Sequence, residues 1–316
     1  MRTTWAGLLL ACALMAAGCA PAPAADRTVT LQTPDGDRTA VVHRSGTAGP
    51  GAPLVVVLHG AGGSAADVRA NLGWDGLADR EGLVVAYPDG LDRTWNAGGC
   101  CGGARDRRVD DVLFLDALVA TVRRDDGTGP VYAVGFSNGA MMSYAWACVR
   151  PGMLAGIGPV AGALVVACPA PAPLTVVAVH GRLDARVPLD GGRGPSGTTF
   201  PSLDASLAPF RAAAGCDRSG ADASTPHSVR GGRPTPDQSS ATPPPTAPPI
   251  RVDARACAED RSVVSVVVDD LPHAWPGAGP DAGTSDAPSD ATGFLWAHLS
   301  GPRSRRPLGR TRKSRA

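Results

Sequence analysis

The sequence predicts an α/β fold, a mostly parallel sheet with helices covering both faces. Three observations predict it. Continuous apolar runs of strand length recur along the chain, "PLVVVLHG" (Pro53 to Gly60) among them, as strands buried on both faces require. Stretches with apolar residues at helical spacing lie between those runs. The regular strand–helix alternation is the signature of parallel pairing through helical crossovers. The 316 residues, 43% of them hydrophobic, suffice for one large domain of this kind or two small ones, and no internal repeat divides them.

Taken in order, the chain opens with an export signal. Arg2 supplies the positive start, and Trp5 to Ala17 is an apolar run too short for a comfortable transmembrane span. Ala17-Gly18-Cys19 resembles a bacterial lipobox, in which Cys19 is lipidated after cleavage. Ala16 stands where leucine is usual, and ordinary cleavage near Ala24 or Ala25 is the alternative. On either reading, residues 1–25 are excluded from the fold. "RTVTLQT" and "RTAVVHR" then read as a hairpin turning at Pro34-Asp35-Gly36-Asp37. After the Pro53–Gly60 strand come a helical stretch from Ala65 to Arg80 and a buried strand, "LVVAYPDG". From Asp110 to Arg123, Val112, Leu115, Leu118, Val119 and Val122 mark an amphipathic helix. "VYAVGFS" is a strand running into a helix that lasts to about Cys148. The runs "AGIGPVAG", "LTVVAVHG" and "RSVVSVVVDDL" follow, and a helix from Asp290 to Leu299 closes the domain. Residues 217–249, rich in Pro, Ser, Thr, Gly and Asp, interrupt the 26–300 domain as an extended insertion. Residues 301–316 form a basic tail with almost nothing to bury, read as a solvated end with contact to anionic lipid or envelope polymer as the lesser alternative.

Composition narrows the function classes. A formal net charge of +1 gives no global argument for nucleic acid or an anionic membrane. Of eight cysteines, Cys12 and Cys19 fall in the export segment. The remaining six, in an exported chain, favour bridges with 15 possible connectivities. None shows the C-x-x-C spacing of a zinc site, so no metal is expected.

The chemistry gathers at Gly135-Phe136-Ser137-Asn138-Gly139. A strand passing directly into a helix through Gly-x-Ser-x-Gly is the nucleophile elbow of α/β-hydrolases, where the serine takes a strained backbone and the glycines let strand and helix approach. The alternative is a turn with no chemistry in it. A serine hydroxyl needs a base, and on this fold the order is Ser, then Asp or Glu, then His. His273, just past the last apolar strand, stands where the base belongs; His227 falls in the insertion, His180 ends a strand, and His298 lies within the final helix. Asp184, nearest the end of "LTVVAVHG", is the favoured acid, with Asp190 as the fallback. The oxyanion donors are expected to be the Asn138 N–H and an N–H of the glycine-rich loop His59 to Ser64, assigned to Ala61 with Gly60 or Gly62 as alternatives. That loop lacks the Lys-Ser/Thr of a P-loop and the spacing of G-x-G-x-x-G, so no nucleotide is expected there.

These motifs together resemble one family, the polyhydroxybutyrate depolymerase-like esterases, which include feruloyl esterases and exported bacterial lipoproteins. The carriers are "VVVLHGAGGS", "AYPDG", "TWNAGGCCGGA", "VDDVLFLDAL", "VYAVGFSNGAMMSYAWAC", "PVAG", "HGRLDARVP" and "PHAWPG", spread from about Pro53 to Leu299. The resemblance implies a Ser137–His273–Asp184 triad and cofactor-free hydrolysis of a small-molecule or polymeric ester; the near-neutral charge leaves no nucleic-acid partner expected. It implies disulfides Cys148–Cys168 and Cys216–Cys257, the latter closing the base of the insertion. Cys100 and Cys101 are left either to a vicinal bridge or to pairing elsewhere. Trp95 and Trp275 are expected to border the cleft, where a ring could stack on substrate; the alternative is that they pack the loops. Two departures lie at the rim: Asp270-Leu271-Pro272 precede His273 where the family usually has glycines, and Arg182 stands where Thr is usual. Rival readings are an exported serine peptidase of the same fold and a non-catalytic envelope-binding lipoprotein.

Overall fold

The computed structural model describes residues 24–216, 250–283, 285 and 287–301. The export signal with Cys19, the 217–249 insertion and the 302–316 tail lie outside the described residues.

The hairpin forms as the sequence predicts. Strands β1 (Ala25–Thr33) and β2 (Gly36–Arg44) pair antiparallel, with Thr33 opposite Gly36 and Pro34-Asp35 in the turn. Ala25, excluded from the fold on the sequence reading, is the first residue of β1 and pairs with Arg44. Strands β3 (Leu54–Leu58), β4 (Val84–Pro88), β5 (Val131–Phe136), β6 (Gly156–Val160), β7 (Thr175–Gly181), β8 (Gly192–Arg193), β9 (Thr199–Phe200), β10 (Ile250–Ala256) and β11 (Ser262–Val268) follow. Nine of them make one sheet in the order β1-β2-β4-β3-β5-β6-β7-β11-β10, while β8 and β9 form a small ribbon in the loop after β7. The block from β4 to β11 is parallel, and β2 and β10 join its edges antiparallel.

Alternation along β3 shows why a strand here must be apolar throughout. Leu54, Val56 and Leu58 enter one core and Val55 and Val57 the other, all at 0% exposure. The first core is roofed by α4 (Asp111–Asp126), α5 (Asn138–Val149) and α6 (Leu203–Ala213). The second is roofed by α1 (Ala65–Asn71), α2 (Trp74–Glu81) and α7 (Ala291–Leu299). A short helix, α3 (Gly102–Asp106), sits in the loop between β4 and α4.

Three elements differ from the sequence reading. The single helical stretch from Ala65 to Arg80 is two helices, α1 and α2, broken at Gly73. That residue takes φ 68°, and a Cβ there would strike the Ala282 carbonyl. Strand β10 and helix α6 flank the insertion and were not anticipated. β10 is half-exposed along its length and pairs on one edge only, so it carries no continuous apolar run. In α6, Pro209 interrupts the helical signal.

Polar pairs pin the early strands. Arg38 on β2 and Asp111 at the start of α4 form a buried ion pair at 2.7 Å, with Arg38 lying over the Phe114 ring. On the opposite face His43 is bracketed by Asp26 at Nδ1, 2.8 Å, and Asp79 at Nε2, 3.1 Å. Arg69 bridges Asp26 and Asp75 beside it. The structure joins Cys148 to Cys168, Cys216 to Cys257, and Cys100 to Cys101. The second of these links the end of α6 to the end of β10, across the ends of the 217–249 segment. Among the described residues no helix is long and apolar enough to cross a membrane.

Candidate active site

The carboxyl ends of β3, β5, β7 and β11 converge, and the loops leaving them carry the predicted residues. At the end of β5, Ser137 takes φ 55° and ψ −116°, a conformation that L-residues rarely adopt. Its N–H donates to the Val160 carbonyl at 2.9 Å, and its carbonyl accepts the Met141 N–H at 3.0 Å, the first full turn of α5. Both glycines of the motif are required by space. A Cβ on Gly135 would collide with the Gly139 backbone, and one on Gly139 would collide with the Leu58 and His59 carbonyls. The elbow therefore exists because strand β5, helix α5 and the end of β3 are closer together than side chains allow.

Ser137 Oγ lies 2.8 Å from His273 Nε2, and His273 Nδ1 lies 2.7 Å from Asp184 Oδ2. A carboxylate can only accept, so Nδ1 carries the proton and Nε2 is left free to accept from the serine hydroxyl. Asp184 is 4% exposed. Its other oxygen, Oδ1, accepts the Arg186 and Val187 N–H groups, each at 2.9 Å. Burial works against its charge, but the nearby His180 ring and the hydrogen bonds from His273 and Val187 outweigh burial and hold the carboxyl well below the usual carboxylate range. His180, 2% exposed, donates from Nε2 to the Val187 carbonyl at 2.8 Å and lies 3.4 Å from Asp184 Oδ2. It braces the turn that presents Asp184, a role the sequence reading did not give it. Asp190, the fallback acid, is exposed, and His298 bonds the Phe294 carbonyl of its own helix.

The glycine-rich loop after β3 borders the serine: a Cβ on Gly60 would stand 3.4 Å from Ser137 Cβ. Ala61 is exposed, and among the described residues neither its N–H nor that of Asn138 has an acceptor. Asn138 is itself fixed through its side chain, whose Oδ1 accepts the Trp95 N–H at 2.7 Å and whose Nδ2 donates to the Trp95 carbonyl at 3.0 Å. Such an arrangement can deprotonate a hydroxyl and hold a developing oxyanion between two amides.

The two tryptophans do not face a cleft. Trp95 is 0% exposed: its indole N–H donates to the His59 carbonyl at 2.9 Å and its backbone clasps Asn138. Trp275 is 6% exposed and donates to Thr292 Oγ1 at 3.1 Å, which fastens the His273 loop to α7. Both are held inside because an indole buried this deeply needs an acceptor, and each has one within the core. The aromatic at the site is Phe136, the unspecified position of the elbow motif. Every other Phe, Tyr and Trp among the described residues is buried. Its ring centroid lies 5.0 Å from that of His273. Leu183, 59% exposed, stands beside Asp184. Arg182, the departure from the family pattern, pairs with Asp269 at 2.6 Å and so ties the β7 loop to the end of β11. No group of three or more metal-ligating side chains gathers among the described residues. A 1200 Å³ cavity at the opposite, amino-terminal ends of the central strands, lined by Pro53, Pro130, Thr175 and Ser262 among others, includes no residue of this site.

No protein-family model matches the chain. It is 30% identical over 247 residues to the "Putative esterase NocK" of Nocardia uniformis subsp. tsuyamanensis, a match covering 72% of this chain and 66% of that protein. It is 30% identical over 175 residues to feruloyl esterase C of Emericella nidulans, covering 52% of this chain and 58% of the other. To poly(3-hydroxyalkanoate) depolymerase C of Paucimonas lemoignei it is 32% identical over 117 residues, covering 35% and 28%. The chain thus spans less than two thirds of these relatives. Among solved structures, acetyl xylan esterase from Aspergillus awamori superposes with a TM-score of 0.52 at 14% identity, over 78% of this chain and 94% of that one, a likeness of fold. An elbow built on close backbone contacts, a sheet in this strand order and these relatives agree: the chain belongs to the α/β-hydrolase family of polyhydroxybutyrate depolymerase-like and feruloyl esterases.

Proposed function

We propose that the protein is an exported serine carboxylic-ester hydrolase that uses Ser137, His273 and Asp184 as its triad. One observation carries the reading: the unbroken relay from Ser137 Oγ through both nitrogens of His273 to a buried Asp184 whose remaining oxygen is saturated by backbone donors. Ser137 attacks the ester carbonyl as His273 Nε2 takes its proton. The oxyanion rests between the Ala61 and Asn138 N–H groups. His273 returns the proton to the leaving alcohol, then activates water to release the acid and regenerate the serine. Asp184 holds the tautomer and balances the imidazolium charge. The chemistry needs no metal or cofactor.

The named relatives act on feruloyl and hydroxyalkanoate esters, and short hydroxyalkanoate, feruloyl or related esters are the substrate class for this chain. Phe136, beside the His273 ring, gives the mouth of the site an apolar surface suited to such acyl groups. Three disulfides support an oxidising, extracytoplasmic destination, with Cys19 as the point of lipid attachment or, alternatively, release after cleavage. The test is hydrolysis of p-nitrophenyl acetate, butyrate and octanoate and of methyl ferulate by the chain from Asp26, beside Ser137→Ala. Activity abolished by the substitution supports the esterase. A folded, inactive parent that takes no fluorophosphonate at Ser137 overturns it. Mass spectrometry of the exported chain separates acylated Cys19 from a free, cleaved N-terminus.

A further inference from the structure

We propose that His59 is a positioning residue for the oxyanion site, its Nδ1–H fixing the Gly60–Ala61 peptide so that the Ala61 N–H is aimed at the substrate oxygen. The inference rests on the ester-hydrolase reading above and adds a residue to it. His59 is 0% exposed, so its ring meets only protein. Its Nδ1 lies 2.8 Å from the Gly60 carbonyl oxygen, and its Nε2 lies 2.9 Å from the Gly90 nitrogen. A carbonyl only accepts and an amide N–H only donates, so the ring is neutral with its proton on Nδ1. Burial favours that neutral form first. The Gly60 carbonyl and the Asp89 and Asp67 carboxylates pull the other way, Arg93 sides with burial, and the balance leaves the ring less basic than an ordinary imidazole.

The geometry of a single peptide makes this matter. In a trans peptide the C=O and the following N–H point in opposite directions within one rigid plane. Holding the Gly60 oxygen therefore sets where the Ala61 N–H points. Two donors hold it, His59 Nδ1 and the Gly63 N–H at 2.9 Å. The loop needs an outside lock because glycine is free to rotate. It also cannot be stiffened by a side chain: a Cβ on Gly60 would press on Phe136 at 3.0 Å and on Ser137 at 3.4 Å. His59 is held in turn by Trp95, whose indole N–H bonds the His59 carbonyl and whose ring lies 5.0 Å away.

Three variants separate the functions of the ring. His59→Asn places an amide N–H near the Nδ1 position, His59→Gln places an acceptor near Nε2, and His59→Phe keeps the bulk against Trp95 while removing both bonds. Steady-state kinetics on p-nitrophenyl butyrate and the rate of fluorophosphonate capture by Ser137 are read for each. His59→Phe is expected to lose about 10- to 100-fold in kcat, short of the loss for deleting an oxyanion donor outright, with KM within about twofold. His59→Asn is expected to recover most of that loss and His59→Gln little of it. Equal loss in Asn, Gln and Phe variants, or a loss carried in KM, overturns the proposal. If His59→Phe does not fold, the Asn-against-Gln comparison carries the same decision. The ¹⁵N spectrum of the His59 ring is the independent readout: a protonated Nδ1 and bare Nε2 at neutral pH are expected, and the opposite tautomer or an imidazolium refutes the lock. A parent that hydrolyses no ester sinks the esterase reading, while the ring tautomer and the Gly60 carbonyl ¹³C shift in the variants still decide on His59.

Discussion

Asp184→Asn tests the relay at its most constrained point. The carboxylate oxygens are not equivalent: Oδ1 accepts two backbone N–H groups at 2.9 Å, and Oδ2 accepts from His273 at 2.7 Å. An asparagine must decide which end faces the backbone. Turning its NH2 toward Arg186 and Val187 would set donors against two donors in a buried site, at a cost of about 1–3 kcal/mol for each unsatisfied group. The amide oxygen therefore stays on the backbone side and the NH2 faces His273. His273 Nδ1 must then accept, its proton moves to Nε2, and Nε2–H points at Ser137 Oγ, where it can no longer take a proton. Loss of the correct tautomer is worth about 10⁴ in kcat in a serine triad, roughly 5.5 kcal/mol of barrier. The assay is p-nitrophenyl butyrate hydrolysis at neutral pH, with near-ultraviolet circular dichroism to establish that the fold is retained. KM should move little, because the substitution touches no substrate contact. A folded Asp184→Asn protein within about tenfold of the parent would refute the tautomer argument and return the acid's role to another group.

Four further outcomes follow from the same contacts. Arg38→Leu strands the Asp111 carboxylate, whose pair is 1% and 0% exposed at the two side chains, and should cost about 3–5 kcal/mol in urea unfolding; a loss under about 1 kcal/mol would mean that the carboxylate protonates at little expense. Gly139→Ala drives a methyl into the Leu58 and His59 carbonyls and should abolish fluorophosphonate labelling of Ser137, whereas normal labelling would contradict the spacing of the elbow. His43 resists burial with help from Asp26, Asp75 and Asp79, which leave it more basic than its usual 6.5. The stability it contributes is complete below that value and is lost as pH rises through the folded one, so Tm should fall as pH rises above 6.5 more steeply in the parent than in His43→Gln; parallel curves would dismiss the linkage. Phe136→Ala should raise KM for octanoate over acetate esters by about five- to tenfold, roughly 1–1.4 kcal/mol, and an unchanged chain-length preference would remove Phe136 from the substrate surface.

Much of the fold was legible because its signals are local. The central strands are buried on both faces and so had to be written as runs such as Leu54 to Leu58. The elbow was legible for a related reason: close approach of three backbones leaves glycine as the only solution at 135 and 139. What escaped reading depends on contacts that residue type alone does not announce. The break at Gly73 is imposed by Ala282, more than two hundred residues on, and β10 owes its existence to pairing with β11. His180 reads in sequence as a strand end, while in the fold its ring bonds the Val187 carbonyl in the turn that presents Asp184.

The aromatic residues explain why substrate contacts are harder to read than catalytic ones. A triad is set by order along the chain and by strand ends, both of which leave marks in sequence. Whether a ring faces solvent or core depends on where its polar edge finds an acceptor. Trp95 and Trp275 stand within motifs close to the site and both turn inward, because His59 and Thr292 receive their indole N–H groups. Phe136 has no polar edge to satisfy and sits where β5 ends, between the His273 ring and Gly60, so nothing draws it further in. On the proposed mechanism, the inward turn of Trp95 would serve the same chemistry indirectly. One residue clasps Asn138 through its backbone and His59 through its indole, so the two loops proposed to supply the oxyanion amides are registered to a single buried residue.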